Sequence, residues 1–279
     1  IVNRVIFLFD EVDKFASMYF DSEENKETVN TILWQMREMI SNRRNVGVVF
    51  AGSTAAKEIF ITNPASPFYN SIEHIELTPF SCKTKEAENA ARKIVEPLKI
   101  RGKYELSKQS LEHLLWVCAG IPYYMKLLAG ATYSVIRQSK VIESDINDGL
   151  YALLNKNTGI TKLDSIGGAS GTDDLRTTLT LKTSDEGIIA RAVLFTLAEL
   201  YSPVSGHSVL RGKLTSSDCK LTYEYKLTKK QINDGIDSCI KLGLIKYSQG
   251  SSSNNLFIAI PILGESIRFN SHRFWAEID

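Results

Sequence analysis

Arg4-Val-Ile-Phe-Leu-Phe-Asp-Glu11 sets five apolar residues, rich in β-formers, directly before two adjacent carboxylates. A continuous apolar run of this length is the pattern of a strand buried on both faces, as in a parallel sheet, not of a strand with one wet face. Beyond a polar stretch, Val29, Ile32, Leu33, Met36, Met39 and Ile40 recur at the spacing of one helix face, and Arg43-Arg44 supply charge suited to a helix C-terminus. Val46-Gly-Val-Val-Phe-Ala51 then reads as a second buried strand, broken by Gly52. Strand, helix and strand in this order make a βαβ unit with a right-handed crossover. Residues 59–71, with Asn63, Pro64, Pro67 and Asn70, read as a loop. Ile72 to Leu77, closed by Pro79, alternates like a third short strand.

Further outward the period changes to that of helices. Ala87, Ala91, Ile94, Val95 and Leu98 line one face after Thr84. Ser107 caps a helix carrying Leu111, Leu114, Leu115 and Cys118, Gly120 stops it, and Pro122 opens the next at a position where a missing N–H costs nothing. A further helix, from about Ser144 to Leu154, presents Ile146, Leu150, Leu153 and Leu154. Residues 155–184 are rich in Thr and Gly and read as a connector. The remainder has its own core. Ile188, Ala192, Phe195 and Leu197 mark a helix ending near Tyr201. Thr228 caps a helix from Lys229 to Leu242, and Leu244–Tyr247 with Leu256–Ile260 flank a Gly/Ser/Asn tip as a hairpin. The expected architecture is α/β, then an all-α module, then an α+β winged helix-turn-helix. Its expected bounds are 1–80, 81–155, a connector over 156–184, and 185–279.

Composition narrows the classes. The chain has 279 residues, 43% hydrophobic and 23% charged, with net charge +1, which excludes disorder and fibrous folds and gives no global attraction to nucleic acid or membrane. The apolar run at Val5–Phe9 is too short for a membrane span and has the wrong flank for a signal peptide. Cys82, Cys118, Cys219 and Cys239 lie far apart without a CxxC, as reduced core thiols of a cytoplasmic protein do. His74, His113, His207 and His272 are isolated. The chain opens at Ile1, inside the strand pattern, and is expected to be the C-terminal portion of a longer protein.

Asp10-Glu11 carries the chemistry. At a strand end, one carboxylate can hold magnesium and the other can polarise a water, although an acidic strand-to-loop turn has the same dipeptide. Phe50-Ala-Gly-Ser-Thr54 brings hydroxyls to the neighbouring strand end, the edge at which open α/β sheets bind ligands. Ser53 is the first candidate there and Thr54 the next, and either also suits a helix cap. Ala119-Gly-Ile-Pro-Tyr-Tyr124 joins two helices of the all-α module.

Taken in order, these segments resemble the archaeal-type and STAND branch of AAA+-like P-loop ATPases. So do Asn63-Pro-Ala-Ser-Pro-Phe-Tyr69, Ile75-Glu-Leu-Thr-Pro-Phe80 and the winged-helix pattern. The resemblance implies a Walker B strand, with Asp10 as magnesium ligand and Glu11 as base for the attacking water. It implies a sensor 1 role for Ser53 or Thr54, and a helical lid whose Pro122 lies near the nucleotide base and sugar, beside Gly120 and Tyr123. ATP or ADP with magnesium would be the cofactors. The implied function is an ATP-dependent switch in regulation or signalling, including antiviral defence. Two departures stand against the family pattern. No Gly-x-x-x-x-Gly-Lys-Ser/Thr occurs in the 279 residues, and Tyr69-Asn-Ser-Ile72 lacks the Arg that relatives often carry there.

The expected third helix of the winged module opens with Lys229, Lys230, Gln231 and Asn233, which could meet DNA or a protein partner. Residues 186–279 carry eleven Lys and Arg against nine Asp and Glu, and the wing tip at 249–255 has no Lys or Arg. So weak a basic footprint favours self-association or a protein partner over DNA. An origin-recognition-like, DNA-binding initiator is the alternative, and a scaffold with a degenerate ATPase is the other.

Overall fold

The computed structural model describes residues 4–12, 14–15, 18–19, 22–43, 45–52, 54–95, 105–136, 139–155, 185–200, 209–214, 219, 226–241, 243–247 and 255–269. The connector expected at 156–184, the hairpin tip and Ser53 lie outside the described residues. The chain divides into two compact units at Leu77–Thr78.

In the first unit, β1 (Val5–Phe9) and β2 (Val46–Phe50) pair in parallel, Val5 against Val46 through Phe9 against Phe50. The crossover helix α1 (Glu23–Ser41) starts where the Ser22 hydroxyl accepts from the Asn25 N–H, and Glu23 and Glu24 sit in its positive first turn. It closes at Asn42, so Arg43 lies just beyond the helix. Its buried Val29 and Leu33 share a core with Val12, Ile59, Phe60 and Phe68. Phe50 is the hub, its ring 4.6 Å from Phe60, 5.2 Å from Phe68 and 5.7 Å from Phe9.

Side chains alternate across a sheet, so Ile6, Leu8 and Val49 share the face opposite Phe9 and Phe50. That face is bare: the three residues are 62%, 76% and 52% exposed.

Two expectations fail in this unit. Residues 59–71 are not simply a loop. A short α2 (Thr54–Lys57) runs into a π-helical turn at Glu58–Thr62, because Ile59 and Phe60 are drawn into the core before Pro64 ends the helix. Nor is 72–77 a strand. Ile75 and Leu77 are 77% and 92% exposed. Alternation creates a strand only where a neighbour takes up its N–H and C=O groups, and none of the described strands does so here.

The second unit opens with α3 (Lys85–Ile94), capped by Thr84, followed by β3 (Glu105–Leu106) and α4 (Lys108–Val117), capped by Ser107. Then come α5 (Pro122–Val135), β4 (Lys140–Val141) and α6 (Glu143–Asn155). The two-residue parallel ladder of β3 and β4 was not expected from the sequence. Leu111, Leu114, Met125, Leu128, Ile146 and Leu150 fill the core of this helical module. Helices α5 and α6 approach closely at Gly149, where a Cβ would lie 2.5 Å from the Thr132 hydroxyl.

The C-terminal module comprises α7 (Asp185–Leu200), β5 (Val209–Leu210), a 3-10 turn at Arg211–Lys213, α8 (Lys229–Lys241), β6 (Ile245–Tyr247), β7 (Asn255–Ile258) and α9 (Pro261–Phe269). Its antiparallel sheet runs β5-β7-β6, so the expected hairpin gains a third strand. Val193, Phe195, Leu197, Ile232, Ile236 and Leu256 are central in its core. Helix α9 was also not expected. Among the described residues no helix is long and apolar enough to cross a membrane.

Candidate functional site

The end of β1 is stitched to the end of β2. The Ala51 N–H donates to the Phe9 carbonyl at 2.8 Å, and the Val12 N–H donates to the Ala51 carbonyl at 3.1 Å. Asp10 and Glu11 therefore leave the sheet beside Ala51 and Gly52, at its carboxyl edge. Thr54 follows as the first residue of α2. Ser53, the other hydroxyl candidate, lies outside the described residues.

The turn has a defined shape. Glu11 adopts φ 54°, a left-handed conformation costly for a residue with a Cβ. Its N–H donates to Asp10 Oδ1 at 2.9 Å, and its Oε2 lies 2.8 Å from Lys14 Nζ. The two carboxylates thus differ in setting: Asp10 is exposed and bonded to the backbone, whereas Glu11 is half-buried and ion-paired. Lys14 was not singled out in the sequence, where it is one more charge in a polar stretch. Among the described residues no three or more His, Cys, Asp and Glu side chains gather as a metal site.

Within the second unit, Gly120, Pro122 and Tyr123 form the turn between α4 and α5. The Gly120 N–H donates to the Leu115 carbonyl at 2.8 Å and the Ala119 N–H to the Trp116 carbonyl at 3.1 Å, a Schellman closure of α4. The residue taking the left-handed position next to the helix is Ala119, at φ 50°, and Gly120 follows at φ 68°. Phe80 accounts for the glycine. Its N–H donates to the Gly120 carbonyl at 2.9 Å, and a Cβ on Gly120 would lie 2.2 Å from its backbone oxygen. Pro122 is the first residue of α5, as its fixed φ favours. Tyr123 is exposed and meets Tyr124 edge-on at 5.8 Å. Burial raises both phenols above their ordinary range, and the Tyr124 hydroxyl finds no partner among the described residues.

At the start of α8, Lys229 and Lys230 are exposed. Gln231 and Asn233 have internal duties. Gln231 Oε1 accepts from both the N–H and the hydroxyl of Thr228, while the Gln231 N–H donates back to Thr228 Oγ1, a reciprocal capping box. Asn233 Oδ1 accepts from Arg211 Nε at 3.2 Å. The same guanidinium holds Asp237 at 2.8 Å and the Tyr247 hydroxyl, tying the 3-10 turn to α8 and β6. Arg211 could not be found from sequence, since its partners lie 22 to 36 residues away.

No family model and no curated protein matches this chain. Among solved structures, the Walker-type ATPase PABY2304 of Pyrococcus abyssi is similar, with a TM-score of 0.52 and 15% identity over 95% of this chain. The chain spans 63% of that protein's length. The likeness is one of fold.

Proposed function

We propose that this chain is part of an ATP-binding and hydrolysing switch of the STAND or AAA+-like kind. One observation carries the reading: a strand with the composition of a buried parallel strand delivers Asp10 and Glu11 to the carboxyl edge, beside the neighbouring strand's end. That edge is where open α/β sheets bind ligands. Two adjacent carboxylates are too few to cage a cation alone. They suit magnesium, which keeps several waters and takes its other oxygens from substrate phosphates. In this reading Asp10 holds the hydrated ion and Glu11, once released from Lys14, takes the proton of the attacking water. Ser53 or Thr54 contacts the γ-phosphate, and Pro122 with Gly120 and Tyr123 borders the nucleotide base. ATP with magnesium would supply the γ-phosphoryl group to be hydrolysed, with ADP as the leaving group and bound product.

The bare Ile6, Leu8 and Val49 face supports the same reading, because parallel strands are normally covered on both faces. We place the phosphate-cradling loop in a further strand and helix that would cover this face. The proposed domains are the ATPase core over 1–80, the lid over 81–155, a connector over 156–184 and a winged helix over 185–279. The winged-helix reading rests on α7, α8 and the β5-β7-β6 sheet. The output is regulated assembly or signalling in the cytoplasm, defence included, through self-association or a protein partner. Exposed Lys229 and Lys230 are the observation that keeps a DNA-binding initiator as the second reading.

Nucleotide titration of the full-length protein tests the site. Asp10→Ala is expected to weaken ATP affinity in magnesium at least ~10-fold while leaving magnesium-free binding nearly unchanged, since only the ion's ligand is lost. Equal affinity of variant and wild type in magnesium would remove Asp10 from the site.

A further inference from the structure

Helices α4 and α6 run side by side in the same direction, each following one strand of the parallel β3–β4 ladder. Two bonds fix their register. The Ser110 hydroxyl donates to the Val141 carbonyl at 2.8 Å, and His113 Nε2 donates to Asn147 Oδ1 at 2.9 Å. One turn beyond that second bond come Trp116 on α4 and Tyr151 on α6, and both are exposed. The register thus sets two aromatic side chains on neighbouring helices at one level of the surface. The indole is also braced. The His113 ring stacks on it, centroids 5.9 Å apart and planes 26° apart, while Asn147 holds the imidazole from the other helix.

Each aromatic has an exposed carboxylate one turn before it on its own helix, Glu112 ahead of Trp116 and Asp148 ahead of Tyr151. The helix dipole accounts for Glu143 and Asp145 in the first turn of α6. Glu112 and Asp148 lie past the first turns, where the dipole does not explain them. Helix α6 holds no Lys or Arg, and α4 holds only Lys108, which stands 3.9 Å from Glu112 with both side chains more than half exposed. Such a pair is weak and readily exchanged for a better cation. Asp148 makes no ion pair among the described residues. A lone exposed aromatic is ordinary on a protein surface, but a braced pair framed by carboxylates marks a contact surface.

We propose that this α4–α6 platform binds an arginine-bearing segment of a protein partner. A guanidinium is planar and weakly hydrated, so it stacks on an indole or phenol face while its N–H fork reaches a carboxylate. Lysine holds its water shell more tightly and cannot present that fork. A nucleic acid would also stack on the rings, but its phosphates would meet Glu112 and Asp148 with like charge. Because His113 already holds the indole, less ordering is left to be done on binding. The platform lies within one module and does not depend on the ATP reading.

Fluorescence anisotropy of a labelled peptide of alternating Arg and Gly, titrated with the full-length protein at ~0.15 M salt to screen long-range attraction, tests it. Trp116→Ala is expected to weaken binding about 5–20-fold, and Tyr151→Ala and Asp148→Asn about 2–5-fold each. Trp116→Phe keeps an aromatic ring and is expected to recover most of the affinity, which separates ring contact from misfolding. Trp34→Ala, which removes an exposed indole of the first unit, is expected to change nothing. The same peptide with Lys in place of Arg is expected to bind several-fold more weakly. No saturable binding, or equal affinity of wild type and Trp116→Ala, would overturn the proposal, as would Lys and Arg peptides binding alike. Tighter binding of a labelled uridine oligonucleotide, lost in Trp116→Ala, would overturn it in favour of a nucleic-acid surface.

Discussion

At the scale of single residues, Ala119 and Gly120 exchange the roles that their order in the sequence suggests. A helix followed by glycine reads as a glycine stop, yet Ala119 takes the left-handed stop and Gly120 is required by the approach of Phe80. That approach spans forty residues and leaves no local trace. Ala119→Gly is expected to raise stability by about 0.5–1 kcal/mol, since a left-handed Cβ costs more than glycine's added chain entropy. Gly120→Ala is expected to lower it by about 2–4 kcal/mol, through strain and the loss of Phe80's bond. Urea midpoints of the two variants check the pair. The thiol of Cys239 behaves likewise as a packed group. Burial pushes its pKa from 9.0 to about 12. Below pH 9 it is protonated folded or unfolded. Above pH 9 the unfolded thiol ionises first, so stability falls as pH rises toward 12. Urea midpoints at pH 8 and pH 10 should differ in that sense, and by less in Cys239→Ala relative to its own value at pH 8.

At the scale of elements, β1, α1, β2 and the helices α3 to α8 are legible because each carries its own period and most carry a cap. The segment 72–77 has the period of a strand but no partner among the described strands, and α9 is a short helix that buries Gly264, Glu265 and Ser266 along with Ile262 and Ile267, so its residue types do not mark what it buries. The π-helical turn follows from tertiary capture of Ile59 and Phe60, which local propensity does not record. The carboxylates of the candidate site are legible from their place after an apolar run, whereas Lys14 and Phe80 are not. The capping box gives α8 a direct check: Thr228→Ala should cost about 1 kcal/mol in a denaturant melt. Lys229→Glu with Lys230→Glu should leave duplex DNA retention at background at ~0.15 M salt and alter self-association instead, given the weak basic footprint. Sub-micromolar, salt-sensitive DNA binding lost in that double variant would favour the initiator reading.

At the scale of the whole molecule, the two carboxylates belong to one compact unit and the Gly-Ile-Pro turn to the other. The 279 residues contain no phosphate-cradling loop, so this chain by itself is expected to show no magnesium-dependent ATP turnover above a Glu11→Gln control. The central claim is that Glu11 is the base of an ATPase. It is tested most directly by ATP turnover and ATP affinity of the full-length protein carrying Glu11→Gln. The amide still accepts a hydrogen bond but cannot take the water's proton, so affinity should hold while turnover falls ~10²–10⁴-fold. Turnover at the wild-type rate would reduce Asp10-Glu11 to an acidic turn.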